Sequence, residues 1–170
     1  DCVASLYGRN SLTDLVTDAV KDIFIPITVV GGIRSESDAD LLMKHGSDKL
    51  GVNSGLFTNK ELGKSLVQKF GSQSIILSIE AKKISKNSWE AYKNFGRDKT
   101  GMDVSEWLSE MSDCNFGEIL LTSIDADGIS NGFDVELYES VCKKINIPVI
   151  ACGGFGKLSH IEDLKKYSES

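Results

Sequence analysis

Only two prolines, two histidines and two tryptophans occur in the 170 residues. No run of about 18 uncharged apolar residues exists, so no transmembrane helix is expected. The longest apolar stretch, Phe24 to Val30, is strand-sized and contains Pro26. Basic residues are in deficit, 19 against 25 acidic, for a net charge of −6. Without a basic stripe the chain is a poor nucleic-acid binder. A small phosphorylated substrate stays open, because helix N-termini bind phosphate through local amides. The four cysteines, 2, 114, 142 and 152, form no CxxC and no His/Cys pairing. They read as reduced thiols of a cytoplasmic protein, with neither a disulfide framework nor a zinc site. His45 and His160 fall in expected helices and read as surface or helix-end residues. No cofactor or metal is expected.

The remainder is ordinary for a globular chain: 41% hydrophobic and 26% charged. That excludes a disordered, collagen-like or low-complexity protein. Five apolar, β-branched runs stand out: Ile25–Val30, Lys49–Asn53, Ser74–Glu80, Glu118–Ile124 and Ile147–Cys152. Both faces of each are apolar, as in buried parallel strands. Between them lie helix-period segments at 11–22, 36–45, 59–69, 103–113, 135–144 and 159–167. Ser35 before Glu36-Ser37-Asp38, and Asp103 with Glu106 three residues on, are helix-start patterns. Strict strand–helix alternation predicts a parallel α/β sheet, barrel or doubly wound. Asp1-Cys2-Val3-Ala4-Ser5 reads as the end of a strand already under way, so a fragment is expected. The gap after Glu80 predicts a hairpin, with turn residues at 85–88, then a Gly-bounded loop from Gly96 to Gly101.

An internal repeat sharpens the choice. Ile25-Pro26-Ile27-Thr28-Val29-Val30-Gly31-Gly32 returns as Ile147-Pro148-Val149-Ile150-Ala151-Cys152-Gly153-Gly154, an offset of 122 residues. A two-fold repeat of that length implies a whole of about 240 residues, the size of a (β/α)8 barrel. The expectation is one incomplete (β/α)8 barrel domain over 1–170, about strands 2 to 7 of eight.

In such a barrel the site lies at the C-terminal strand ends. Two Gly-Gly turns there suggest two phosphate sites, because glycine lets backbone amides approach an anion. Asn53 and Ser54 add side-chain donors, or they cap the next helix. Glu80 ends an apolar strand, where a dry setting raises a carboxyl pKa toward neutrality and suits acid–base work. The alternative is an ion pair with Lys82 or Lys49. Asp125, Asp127 and Gly128 form a further set, although Asp-Gly is also a plain turn signal.

Over essentially its whole length the sequence resembles the cyclase subunit of imidazole glycerol phosphate synthase. The resemblance rests on Ile25-Pro26-Ile27-Thr28-Val29-Val30-Gly31-Gly32-Ile33, Gly46-Ser47-Asp48-Lys49, Phe70-Gly71-Ser72-Gln73 and Ile79-Glu80-Ala81-Lys82. It continues in Gly117-Glu118-Ile119-Leu120-Leu121-Thr122-Ser123-Ile124-Asp125-Ala126-Asp127-Gly128 and the stretch from Ile147 to Lys157. It implies a lyase of histidine biosynthesis. Ammonia from a glutaminase partner would convert a ribulosyl formimino-aminoimidazole carboxamide ribonucleotide to imidazole glycerol phosphate and the aminoimidazole carboxamide ribonucleotide. Glu80 matches one of two acid–base carboxylates; the other belongs to strand 1. Gly32, Asn53 and Ser54 match one phosphate site of the doubly phosphorylated substrate. Asp127, Gly128, Gly153 and Gly154 match the other, with Thr122 nearby. Lys49 and Glu118 match two members of a charged gate over the ammonia entrance, and Asp48 matches a residue facing the glutaminase.

Departures from the family pattern are explicit. The strand 5 acid is Asp in the family and Glu80 here. Cys152 stands for a Ser, Val30 for a third Gly, and Ala126 for an Arg. These changes leave two other readings open. One is a paralogous ammonia-using subunit that modifies nucleotide-activated or surface-polysaccharide sugars. The other is a non-catalytic, partner-binding barrel fragment.

Overall fold

The computed structural model describes residues 12–165. They gather into two compact units. One takes in the chain up to Ser78 together with Met111–Glu118; the other takes in Ile79–Glu110 and the chain from Ile119 onward.

The first unit alternates helices with short parallel strands. Helix α1 (Leu12–Asp22) precedes β1 (Thr28–Val30), then come α2 (Glu36–Lys44) and β2 (Lys49–Val52). A short α3 (Ser54–Thr58) and a longer α4 (Glu61–Phe70) lead into β3 (Ile75–Ser85). Strand β1 pairs with β2 in parallel, and β2 with the start of β3. Residues 75–79 of β3 are all buried, as a parallel strand covered on both faces should be. Helix α2 starts where its cap predicts: the Ser35 hydroxyl accepts from the Asp38 N–H at 3.2 Å, and the Asp38 carboxylate accepts from the Arg34 N–H at 3.0 Å. Leu50, Leu56, Leu66 and Ile75, each fully buried, form the core of this unit. Burying each leucine side chain contributes about 1.5–3 kcal/mol.

In the second unit β3 runs on into an antiparallel ribbon with β4 (Ser88–Lys93), which pairs with β5 (Asp98–Asp103). Helix α5 (Val104–Met111) starts in this unit, with the Asp103 carboxylate accepting from the Ser105 N–H at 2.8 Å. Strand β6 (Glu118–Ser123) and β7 (Val149–Cys152) pair in parallel and are joined through α6 (Val135–Cys142). Helix α7 (Ser159–Lys165) follows. The core here is built from Ile79, Trp107, Ile119, Leu121, Leu137 and Val141.

Four expectations change. Strand β1 starts at Thr28, not Ile25. Pro26 has no N–H, and the Ile27 N–H goes to the Asp48 carboxylate at 2.7 Å instead of to a ladder. Phe24 and Ile25 are accordingly exposed. Strand β3 does not end at Glu80 but continues to Ser85, because β4 supplies its next hydrogen-bonding partner. The segment expected as a Gly-bounded loop holds a third ribbon strand, β5. The helix expected over 59–69 begins at Glu61, after the separate α3. No helix among the described residues is long and apolar enough to cross a membrane.

Candidate active site

Glu80 lies where β3 passes from its parallel stretch into the ribbon, opposite Tyr92 of β4. Its carboxylate is half-buried and accepts the Gly96 N–H at 2.8 Å. Burial pushes its pKa up; the backbone N–H groups of Gly96 and Phe95 pull the other way, and burial wins. The alternative partners of Glu80 are engaged elsewhere. Lys49 is bound to Glu118, and the Lys82 ammonium lies 5.8 Å from the centroid of the Tyr92 ring. A carboxyl pushed above its ordinary range by burial, with no ion pair among the described residues, is suited to exchange a proton.

The ribbon beside it is anchored by charge. The Lys83 N–H donates to the Asp125 carboxylate at 2.7 Å, and its ammonium pairs with Glu136 at 2.5 Å. The Trp89 indole N–H donates to Asp134 at 2.9 Å. Asp134 also caps α6 through the Leu137 N–H. These anchors tie the ribbon to the segment between β6 and α6, which carries Asp127 and Gly128. None of them was legible as a site, because their targets are main-chain atoms or residues more than 40 positions away.

Both glycine doublets take the left-handed backbone that the repeat requires: Gly31 and Gly32 at φ 98° and 76°, Gly153 and Gly154 at 92° and 95°. Asn53 is buried at the start of α3, and its side chain makes no cap bond to that helix. Ser54 opens the same short helix. Thr122, on β6, alternates with the buried Leu121 and Ser123 and is partly exposed. Asp127 and Gly128 sit in the exposed turn after β6, whose Asp127 N–H donates back to the Ser123 carbonyl at 3.0 Å.

Lys49 and Glu118, one at the start of β2 and the other at the start of β6, form an ion pair with side chains 31% and 23% exposed. Asp48, next to Lys49, is exposed and spends its carboxylate on the Ile27 N–H. Of the histidines, His45 ends α2, where Nδ1 meets the Thr17 hydroxyl at 2.6 Å. His160 is buried, not on the surface, and accepts the Gly156 N–H at 3.2 Å. Cys114, Cys142 and Cys152 are free thiols; Cys2 and Asp1 lie outside the described residues.

Parallel strands alternating with helices, as seen in each unit, are the repeating βα element of the α/β class of proteins. Along residues 1–170 the chain matches the family described as histidine biosynthesis protein. It is 49% identical over 158 residues to the imidazole glycerol phosphate synthase subunit HisF of Legionella pneumophila, covering 93% of this chain and 74% of that relative. The chain belongs to the histidine biosynthesis protein family, whose fold is the (β/α)8 barrel.

Proposed function

We propose that the chain is the cyclase subunit of imidazole glycerol phosphate synthase, a lyase of histidine biosynthesis. The observation that carries the mechanism is Glu80: a half-buried carboxyl with a raised pKa and no cationic partner among the described residues. Ammonia adding to the ketose carbonyl of the ribulosyl substrate needs a proton delivered to oxygen and another removed from nitrogen. A carboxyl titrating nearer neutrality serves both transfers. Glu80 is assigned one half of that relay, and a strand 1 acid the other.

Gly32, Asn53 and Ser54 are assigned to one substrate phosphate, with left-handed glycine and buried amide as donors. Asp127, Gly128, Gly153 and Gly154, with Thr122, are assigned to the other. Lys49 and Glu118 are assigned to an ammonia gate, and Asp48 to the face that meets a glutaminase subunit. In this reading both compact units belong to one barrel domain. The likeness to a histidine-pathway subunit over 93% of the chain favours this activity over a sugar-modifying paralogue.

Glu80→Ala should lower ammonia-dependent turnover by at least ~100-fold, the scale of a positioned acid or base. Turnover within about threefold of wild type excludes Glu80 from the chemistry. Complementation of a histidine auxotroph lacking this subunit separates the two ammonia-using readings, since absence of growth removes the histidine role.

A further inference from the structure

We propose that the turn Asn94–Phe95–Gly96 is a positioning element for Glu80, its main-chain N–H groups fixing where the longer carboxylate points. This rests on the reading of Glu80 as an acid–base group. Three consecutive residues of the turn are left-handed, at φ 54°, 59° and 71°. Asn and Gly accept that conformation readily; Phe95 does not, so the surrounding structure must enforce it. Successive amides in such a turn point into one concavity, a natural seat for an anion. The anion in that seat is Glu80, whose Oε2 receives the Gly96 N–H at 2.8 Å, with Phe95 as a second backbone donor.

The turn is braced on both sides. The Asn94 amide donates to the Asp98 carboxylate at 2.6 Å, closing the turn at the entry to β5. At Gly96 an added Cβ would lie 3.1 Å from Ile124 Cδ1, so the backbone rests directly on that side chain. The match is specific to the departure from the family pattern. An aspartate at position 80 would hold its carboxylate about 1.5 Å further back, one carbon–carbon bond short of the amides. The turn therefore offsets the freedom and displacement that the extra methylene introduces, which otherwise lower the rate.

The test is a double-mutant cycle with Gly96→Ala, made in the wild type and in Glu80→Asp, with kcat and KM measured for each. In the wild type kcat should fall at least ~10-fold while KM stays within about twofold, because the turn acts on the proton-transfer group and not on substrate binding. In Glu80→Asp the same change should cost less than about threefold. An equal loss in both backgrounds, or no loss in the wild type, overturns the proposal. If Gly96→Ala fails to fold by far-UV circular dichroism, Asn94→Gly, which removes the amide brace while keeping a residue type that accepts the left-handed backbone, carries the same comparison. Glu80→Gln is measured alongside. Full activity there overturns the acid–base reading itself, whereas a dead Glu80→Gln with a harmless Gly96→Ala overturns the positioning role alone.

Discussion

The phenol of Tyr138 sits between the two main-chain polar groups of Cys152. Its O–H donates to the Cys152 carbonyl at 2.7 Å, and its oxygen accepts the Cys152 N–H at 3.1 Å. The Leu121 carbonyl, at 3.1 Å, competes for the same proton. One side chain of α6 thus ties β6 to β7 immediately before Gly153 and Gly154. Burial pushes the phenol well above its ordinary pKa, so it stays protonated and able to donate. Tyr138→Phe leaves the part-buried Cys152 carbonyl and N–H without that partner and should destabilise by about 1 kcal/mol. In urea unfolding the midpoint should fall with the slope unchanged. An unshifted midpoint means that the tyrosine contributes packing alone.

The strands were legible because a parallel strand buried on both faces must be apolar, as residues 75–79 are. Strand β5 was not, because an exposed ribbon strand has no such requirement. Its Asp98-Lys99 and Gly101 look like loop chemistry. Strand β1 was drawn too long because apolar content does not show where ladder partners begin, and here they begin at Lys49. The position of Glu80 could be read from a carboxylate ending an apolar run. Its surroundings could not: the donor is a backbone amide 16 residues on, presented by a left-handed turn that residue types mark only as a turn. Nothing in the sequence around Tyr138 names the carbonyls it reaches, which belong to other strands.

The Lys49–Glu118 pair is partly exposed, so as a source of stability it is worth about 0–1 kcal/mol. If it controls ammonia entry, Lys49→Ala should separate two activities. Glutamine-driven turnover with the glutaminase partner should fall at least ~10-fold, a change of about 1.4 kcal/mol in the effective barrier. Turnover with ammonium salts should stay within about threefold, because the acid–base group is untouched. Equal loss in both assays would assign the pair to structure.

Glu80 also makes stability depend on pH. Its folded pKa lies above its unfolded value, with burial as the first cause. Below the ordinary glutamate range both states are protonated and the group has no effect. As pH rises from that range through the raised folded pKa, the unfolded state ionises first and stability is lost. Above the folded pKa the full penalty remains. Glu80→Gln should therefore match wild type in acid and become the more stable protein as pH rises through that window, with the gap constant beyond it. Thermal melts across a pH series read this directly. A gap independent of pH would show that ionisation of Glu80 is not what burial opposes.

Two left-handed glycines predict opposite phenotypes. At Gly154 a Cβ would lie 2.0 Å from the Gly132 carbonyl oxygen, at φ 95°, so Gly154→Ala must move one of two backbones. That change should destabilise by more than about 2 kcal/mol, read as a lowered unfolding midpoint before any effect on phosphate binding is measured. At Gly128, φ 73°, nothing lies within 4 Å of an added Cβ. Gly128→Ala should cost only the local strain, about 1–2 kcal/mol. Yet the open space is where a substrate phosphate is assigned, and a methyl group there stands between phosphate and amide. Gly128→Ala should raise KM about 10-fold or more with kcat within about threefold, the signature of lost uniform binding. An unchanged KM would move the second phosphate away from the Asp127–Gly128 turn, while a fallen kcat at unchanged KM would place this turn beside the reacting atoms instead.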